Sequence, residues 1–572
     1  MTADQPAKRR STRKPGASRG GASRAPSGEP ASSPPVARLP NAIAAAGVGI
    51  AALTTYLRWL PPGLTGKDAG DFATAVAVLG VPHPTGYPLY CLLGKLFAWA
   101  VPWGDLAHRL NLFSAVTAAA AACVLHLALT RLPLPVALDP GANARLILAA
   151  AVALLVAFAP TIASQAIIPE AYPLLLLSAA TLLWLCAGWG AATTPGSRQI
   201  QALAFVAGLG LTTHLTFALL LPAAAIYLLA VHTRAALEGV RGRSAGVLGL
   251  LFAAGLVPYL YLPARAFASP PLDWADARSA GALWRHVTGG AYQGNWQGPG
   301  VAALAQQVAH LREDLPLLLT VLPLLGVIAL LLTGRHGRTL LLLLGGTVLM
   351  VAYFAQGYRV LDARYMVTGG FPALAGLLFT GAAAVVAFAP RRARAAIALL
   401  LLAAPAYSLL TWGAKLDRSA DDRTYRRIQE FMGALPDDSL VLTSGDFPII
   451  PAWYLQQVEG VKPGVAFLHD SLPFRFPAFL GTLHRQRPDL VALPVPGTPP
   501  EQALPSLLRA IDANLARVPV FTTASTPGLT GLYQLDPVPI MEGSHLWRVR
   551  ARAQAVSATP SGQETPVPPM PQ

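Results

Sequence analysis

NAIAAAGVGIAALTTYLRWL, residues 41–60, runs directly into PPGLTGKDAGDFATAVAVLGVPHPTGYPLY, residues 61–90. The first stretch carries a single charge, Arg58, and is long enough to cross the hydrocarbon core of a bilayer, which takes about 20 apolar residues. The second sets Asp68, Asp71 and His83 just beyond that span. In so apolar a chain, ionisable groups at a membrane surface mark where chemistry sits. Together the two stretches predict a helical membrane protein with an acidic site at its surface.

The whole chain agrees. Of its 572 residues 53% are hydrophobic and only 12% charged, and the mean hydropathy is +0.47, too apolar for a soluble domain of this size. The net charge of +15 does not point to nucleic acid. Its basic residues fall in a polar N-terminal tail and in short loops, without a basic patch interleaved with aromatics. Cys91, Cys123 and Cys186 all lie in apolar segments, so neither a disulfide framework nor a thiolate metal site is available. Residues 1–40, with KRRSTRK and a Pro/Ser/Gly/Arg-rich continuation, read as a disordered basic cytoplasmic tail. The run 41–60 then reads as an uncleaved signal anchor.

Apolar runs of spanning length recur at 109–130, 144–160, 170–190, 200–214, 215–231, 245–263, 314–333, 339–355, 366–389 and 394–412. The expectation is therefore a polytopic α-helical membrane protein of about eleven transmembrane helices. With the tail inside, the loops holding Arg131 and Arg145, Arg198, Arg234, Arg241 and Arg243, Arg335 and Arg338, and Arg391, Arg392 and Arg394 are inside as well, as the positive-inside rule requires. Segment 87–103 is apolar but holds Pro88, Lys95 and Pro102. A central Lys costs about 2.5–3.5 kcal/mol on insertion scales, and a span here would invert every later loop. It is read as an interfacial or re-entrant helix. After residue 412 the runs SLVLTS, GVAFLH, VPVFTT and LWRVRA alternate with helical stretches, which predicts a small C-terminal soluble α/β domain over 413–551 on the outer side. A Pro/Ser/Gln-rich tail follows at 552–572.

This topology gathers the polar chemistry on one face: the first outer loop (61–108), Glu170, His214, the outer loop 264–313, and QGYRVLDARY with Arg364 and Tyr365. Asp68 and Asp71 precede the run FATAVAVLG. They suit an N-cap and an N3 carboxylate, and equally a general base held rigidly at a helix start. His83 sits between prolines, in a stiff loop that suits a binding wall. Arg265 and Arg364 lie at headgroup level, where a guanidinium forks onto phosphate or pairs with a carboxylate such as Asp362. Glu170 suits a helix cap or a substrate contact, and His214 a packed polar group. No second His or Cys stands at zinc-ligand spacing in the first outer loop. Carboxylates there are compatible with a hard divalent ion, but no pattern calls for a metal or any other cofactor.

The acidic loop followed by HPTGYPLY, RLNLFSAV, PEAYPLLLL, GLGLTTHLTFALLLP, LYLPARA, PPLDWADARS and LWRHVTGGAYQ resembles the transmembrane protein 260 family. These are protein O-mannosyltransferase-like members of the glycosyltransferase C (GT-C) superfamily, and the resemblance extends over about residues 41–470. The family's loop has Asp-Ser-Gly-Glu where this chain has Asp68-Ala69-Gly70-Asp71, so Asp68 is the better-matched carboxylate. The resemblance implies a GT-C-like transmembrane domain over 41–412, a polyprenyl-phosphate-linked sugar as donor, and an outer-loop Asp as base in an inverting transfer. By that resemblance Asp68 is the base, with Asp71 supporting it or exchanging roles, while His83 and Tyr87 shape the acceptor side. The topology, more than the family, assigns the donor phosphate to Arg265 and Arg364.

The expected function is thus a membrane glycosyltransferase moving mannose or another hexose to a hydroxyl of a protein or glycan, for example Ser/Thr of exported protein. The Ala- and Arg-rich composition and short loops suggest a bacterial plasma membrane. The competing readings are a lipid-linked sugar flippase, which would show internal repeats and intramembrane charges, and a structural membrane subunit.

Overall fold

The computed structural model describes residues 37–553 apart from 361, 496, 524–528, 530 and 541–544. Both expected tails therefore lie almost wholly outside the described residues. Four helices build the first part: α1 (Arg38–Trp59), α2 (Ala69–Val78), α3 (Pro88–Ala100) and α4 (Leu106–Arg131).

Seven described helices are long and apolar enough to cross a membrane: α1, α4, Tyr172–Ala191, Gly242–Phe267, Gly334–Gly357, Ala363–Ala387 and Arg391–Leu416. Two bent pairs, Ala142–Ala157 with Pro160–Ala166 and Leu215–Val231 with Thr233–Gly239, raise the number to nine. This corrects the expected eleven. The run 200–214 ends its helix at Leu211 after 15 residues, and within 314–333 the helix Val321–Leu332 holds only 12, both short of the hydrocarbon thickness. Helix α3, at 13 residues, is likewise too short to span, and Lys95 donates to the Ala77 carbonyl (2.7 Å) rather than facing lipid. Trp99 and Trp103 on and beyond it are exposed, as aromatic groups at a membrane interface are.

Beyond residue 412 the described residues form a five-stranded sheet from β1 (Leu440–Thr443), β2 (Ala466–His469), β3 (Val520–Thr522), β4 (Tyr533–Pro537) and β5 (Trp547–Arg552), in the order β2-β1-β3-β5-β4. β1 pairs in parallel with β2 and β3, and β5 antiparallel with β3 and β4. β1 to β3 are apolar and buried throughout, the pattern of strands covered on both faces. β4 is half polar, YQLDP, and escapes a reading by hydrophobicity.

The sheet unit is locked to the helices. Phe72, Tyr90 and Phe113 share one buried cluster with Ile428, Phe431, Ile450 and Tyr454, each such side chain contributing about 1.5–3 kcal/mol on burial. At its centre α2 meets helix Ile449–Val458 so closely that a Cβ on Gly70 would stand 2.7 Å from the Ile450 carbonyl oxygen.

Candidate active site

Helix α2 is held by its C-terminal end. The last carbonyls of a helix lack internal partners and attract cations and donors. Here Lys95 reaches Ala77 (2.7 Å), Arg265 Nε reaches Leu79 (2.6 Å), and the Tyr261 hydroxyl reaches Gly80 (2.7 Å). Gly80 also allows the chain to pair with the loop from the far side of the bundle: Val81 donates to Leu272 (2.9 Å) and Trp274 to Val81 (3.1 Å). A Cβ at Gly80 would lie 2.5 Å from the Leu272 oxygen. That pairing brings Trp274 against the start of α2.

At the start of α2 the two carboxylates part company. Asp71 is fully buried, at 0% exposure. Its Oδ1 accepts from Trp274 Nε1 (2.8 Å), and its Oδ2 accepts from both the backbone N–H (3.1 Å) and the Nδ1–H (2.7 Å) of His83. Asp68 occupies the N-cap position without making a cap hydrogen bond. Its carboxylate, 33% exposed, stands 4.0 Å from His83 Nε2. An imidazole is thus set between two carboxylates, anchored on the inner one and turned toward the outer.

The charges follow from that placement. Burial works against the His83 cation, but Asp68 and Asp71 outweigh it and lift the ring to about 9. Burial pushes Asp68 up to about 6, opposed by His83 and reinforced by Asp71, Asp362 and Asp446. An Asp near 6 is ionised at neutral pH yet basic enough to take a proton in a transition state, the match a general base needs.

Asp68 opens into a cavity of about 1510 Å³ walled by both halves of the molecule. His83, Tyr87, Tyr172, His214 and Trp274 line it from the helical part, Ser444, Asp446, His469 and Asp470 from the carboxyl ends of β1 and β2, and Arg475 from the short helix Leu472–Arg475 that follows. Ligands of open α/β sheets gather at such strand ends. Arg359 and Arg475 also face it, and neither makes an ion pair among the described residues. Arg475 donates to the Ala291 carbonyl (3.0 Å) and lies 5.7 Å from the Tyr292 ring. The cavity wall therefore carries both carboxylates and guanidinium groups. No group of three or more His, Cys, Asp or Glu side chains among the described residues is placed to hold a metal ion.

Of the residues named in the sequence analysis, Asp68, His83, Tyr87, His214 and Asp362 line the cavity. Tyr87 packs its ring at a tilt, 5.0 Å from His83 and 5.6 Å from His214 centroid to centroid. Asp71 stands behind them with both its oxygens accepting hydrogen bonds. Glu170 is buried and close enough to influence Asp68 and His83, without a hydrogen bond among the described residues. Arg265 and Arg364 are not brought to the cavity. Arg265 caps α2, and Arg364 donates to Glu313 (2.6 Å), Thr161 (2.7 Å) and Asp314 (3.4 Å). Asp362 pairs with Lys67 (2.9 Å) instead of Arg364. Lys67 also lies 4.3 Å over the ring of Tyr365, which borders the first outer loop rather than the cavity. Trp274, Arg359, Asp446 and Arg475 are site residues that sequence reading missed. Arg359 had a signal, standing beside Tyr358 in the outer motif; Asp446 and Arg475 had none, since only the docking of the sheet brings them here.

Residues 68–237 match the family model of the protein O-mannosyl-transferase TMEM260 N-terminal domain, beginning at Asp68 itself. The chain is 27% identical over 452 residues to the protein O-mannosyl-transferase TMEM260 of Mus musculus, covering 72% of this chain and 60% of that protein. It thus spans less than two thirds of that relative. A stretch of 68 residues is 32% identical to the protein O-mannosyl-transferase tmem260 of Dictyostelium discoideum, covering 12% of this chain and 8% of that one. Among solved structures, the crystal structure of ArnT from Cupriavidus metallidurans bound to undecaprenyl phosphate aligns with a TM-score of 0.58 at 14% identity, over 92% of this chain and 100% of that one, a likeness of fold. Over residues 68–237 the chain is accordingly similar to the TMEM260 N-terminal domain, and its fold is like that of ArnT.

Proposed function

We propose that this protein is an integral membrane glycosyltransferase moving a hexosyl group, mannose first among the candidates, from a polyprenyl-phosphate donor to a hydroxyl acceptor such as Ser/Thr of exported protein. The observation that carries the reading is Asp68: a carboxylate without a hydrogen bond among the described residues, open to a large cavity and backed by His83 and Asp71. The names of the relatives and the lipid phosphate bound to ArnT favour the same chemistry.

In this reading Asp68 takes the proton of the acceptor hydroxyl as its oxygen attacks the anomeric carbon. The bond from that carbon to the phosphate oxygen breaks with inversion. The phosphate leaves with the electron pair, so no acid is needed where cations receive the developing charge. Arg359 and Arg475, the cavity's unpaired guanidinium groups, suit that task in place of Arg265 and Arg364. The bilayer around the span bundle, which we take to be a bacterial plasma membrane, presents the donor. We place the N-terminal tail in the cytoplasm and residues 413–551 outside as a domain that walls the acceptor side. The donor needs no further cofactor.

The test is full-length protein in vesicles with radiolabelled polyprenyl-phosphate mannose. Label leaving the lipid for a water-soluble or protein fraction is expected. Labelled lipid that crosses the bilayer with its sugar still attached would instead establish a flippase.

A further inference from the structure

The histidine of TTHLT, read from sequence as a packed polar group, holds an unused donor at the cavity wall. His214 is 93% buried, with 7% exposure, and lines the cavity. Its Nδ1 accepts the backbone N–H of Thr216 (3.2 Å) and lies 2.8 Å from the Thr216 hydroxyl. A ring nitrogen that accepts an amide proton carries none of its own, so the neutral ring bears its proton on Nε2. Nε2 has no partner among the described residues. With the Nδ1 edge turned to the backbone, the opposite edge faces the open space.

The ring's neighbours narrow what that donor would meet. Tyr87 and Tyr172 stand 5.6 and 5.4 Å away, centroid to centroid, and both line the cavity. Tyr87 is also 5.0 Å from His83, which puts His214 one aromatic ring beyond the His83–Asp68 pair. Aromatic rings with a single neutral donor suit an uncharged polyhydroxyl ring; a phosphate calls for cations, and those are Arg359 and Arg475. We propose that His214, with Tyr87 and Tyr172, forms the subsite for the hexosyl group itself, with Nε2–H donating to a sugar oxygen. The inference rests on the glycosyltransferase reading for its choice of ligand and adds to it a specificity-determining residue that distinguishes sugar-bearing from bare lipid.

The experiment measures binding of undecaprenyl-phosphate mannose and of undecaprenyl phosphate to the full-length protein in vesicles. Two variants separate the two edges of the ring. His214→Asn keeps an acceptor for the Thr216 amide, so the turn remains capped, but loses the donor at the Nε2 position; His214→Gln restores an N–H near that position. For His214→Asn, affinity for the mannosyl lipid is expected to fall about tenfold, the effect of one lost hydrogen bond, while the bare lipid changes by less than about twofold. His214→Gln should bind the mannosyl lipid more tightly than His214→Asn. Equal losses for both lipids, no loss for either, or a Gln variant weaker than the Asn variant would overturn the subsite. A wild-type protein that binds neither lipid above the vesicle background would instead overturn the donor reading beneath it.

Discussion

Asp68 and Asp71 are three residues apart and nearly interchangeable on paper, yet the fold gives them different work. Asp71 is enclosed by Trp274, a partner 203 positions away, and by His83; Asp68 alone meets the cavity. Local sequence reveals the pair and its helix start, whereas the division of labour depends on a contact between segments 203 positions apart. The family pattern had favoured Asp68 for a different reason, the closer match of residue type. A pH signature follows. Transfer should rise along an acid limb with its midpoint near Asp68's value of about 6, because the base must be unprotonated. His83, a cation up to about 9, favours the charged form of Asp68. In His83→Asn that opposing cation is gone, burial and the remaining carboxylates act alone, and the acid limb should move to higher pH. A pH–rate profile of the two proteins checks the direction; an unmoved limb would separate His83 from the base.

At the scale of elements, α2 is the part that must not shift. Its C-terminal end is tied by Lys95, Arg265 and Tyr261, and its flank is pressed against helix Ile449–Val458 at Gly70. Gly70→Ala improves intrinsic helix propensity by up to about 1 kcal/mol. The added Cβ, however, would meet backbone atoms of Ile450, which cannot rotate aside, and such overpacking costs about 1–3 kcal/mol. The expected outcome is a lower Tm and faster proteolysis near residues 449–458, with transfer reduced but its pH midpoint unchanged. A variant as stable and protease-resistant as wild type would contradict so tight an apposition. Element by element, long apolar helices such as α4 and Tyr172–Ala191 were legible because length and composition suffice. The break at residues 212–214 was legible as well, where Thr212, Thr213 and His214 divide the runs 200–214 and 215–231, whereas the break at Thr320 was not read inside the run 314–333. Arg265 was legible as a functional cation and misassigned in partner, since its carbonyl targets on α2 belong to another part of the chain.

For the molecule as a whole, the cavity exists only because two structures share one core. The span bundle supplies Asp68, His83 and the aromatic wall, and the sheet unit supplies Asp446, Asp470 and Arg475. In the proposed reading, acceptor and lipid donor meet in that shared cavity. The central claim is that Asp68 removes the acceptor proton. The direct measurement compares wild type with Asp68→Asn for single-turnover release of sugar from radiolabelled polyprenyl-phosphate mannose and, in parallel, for binding of that donor. Asparagine keeps the shape and cannot act as a base. Donor binding close to wild type with transfer reduced about 10²–10⁴-fold is expected; transfer within a few-fold of wild type would contradict the assignment.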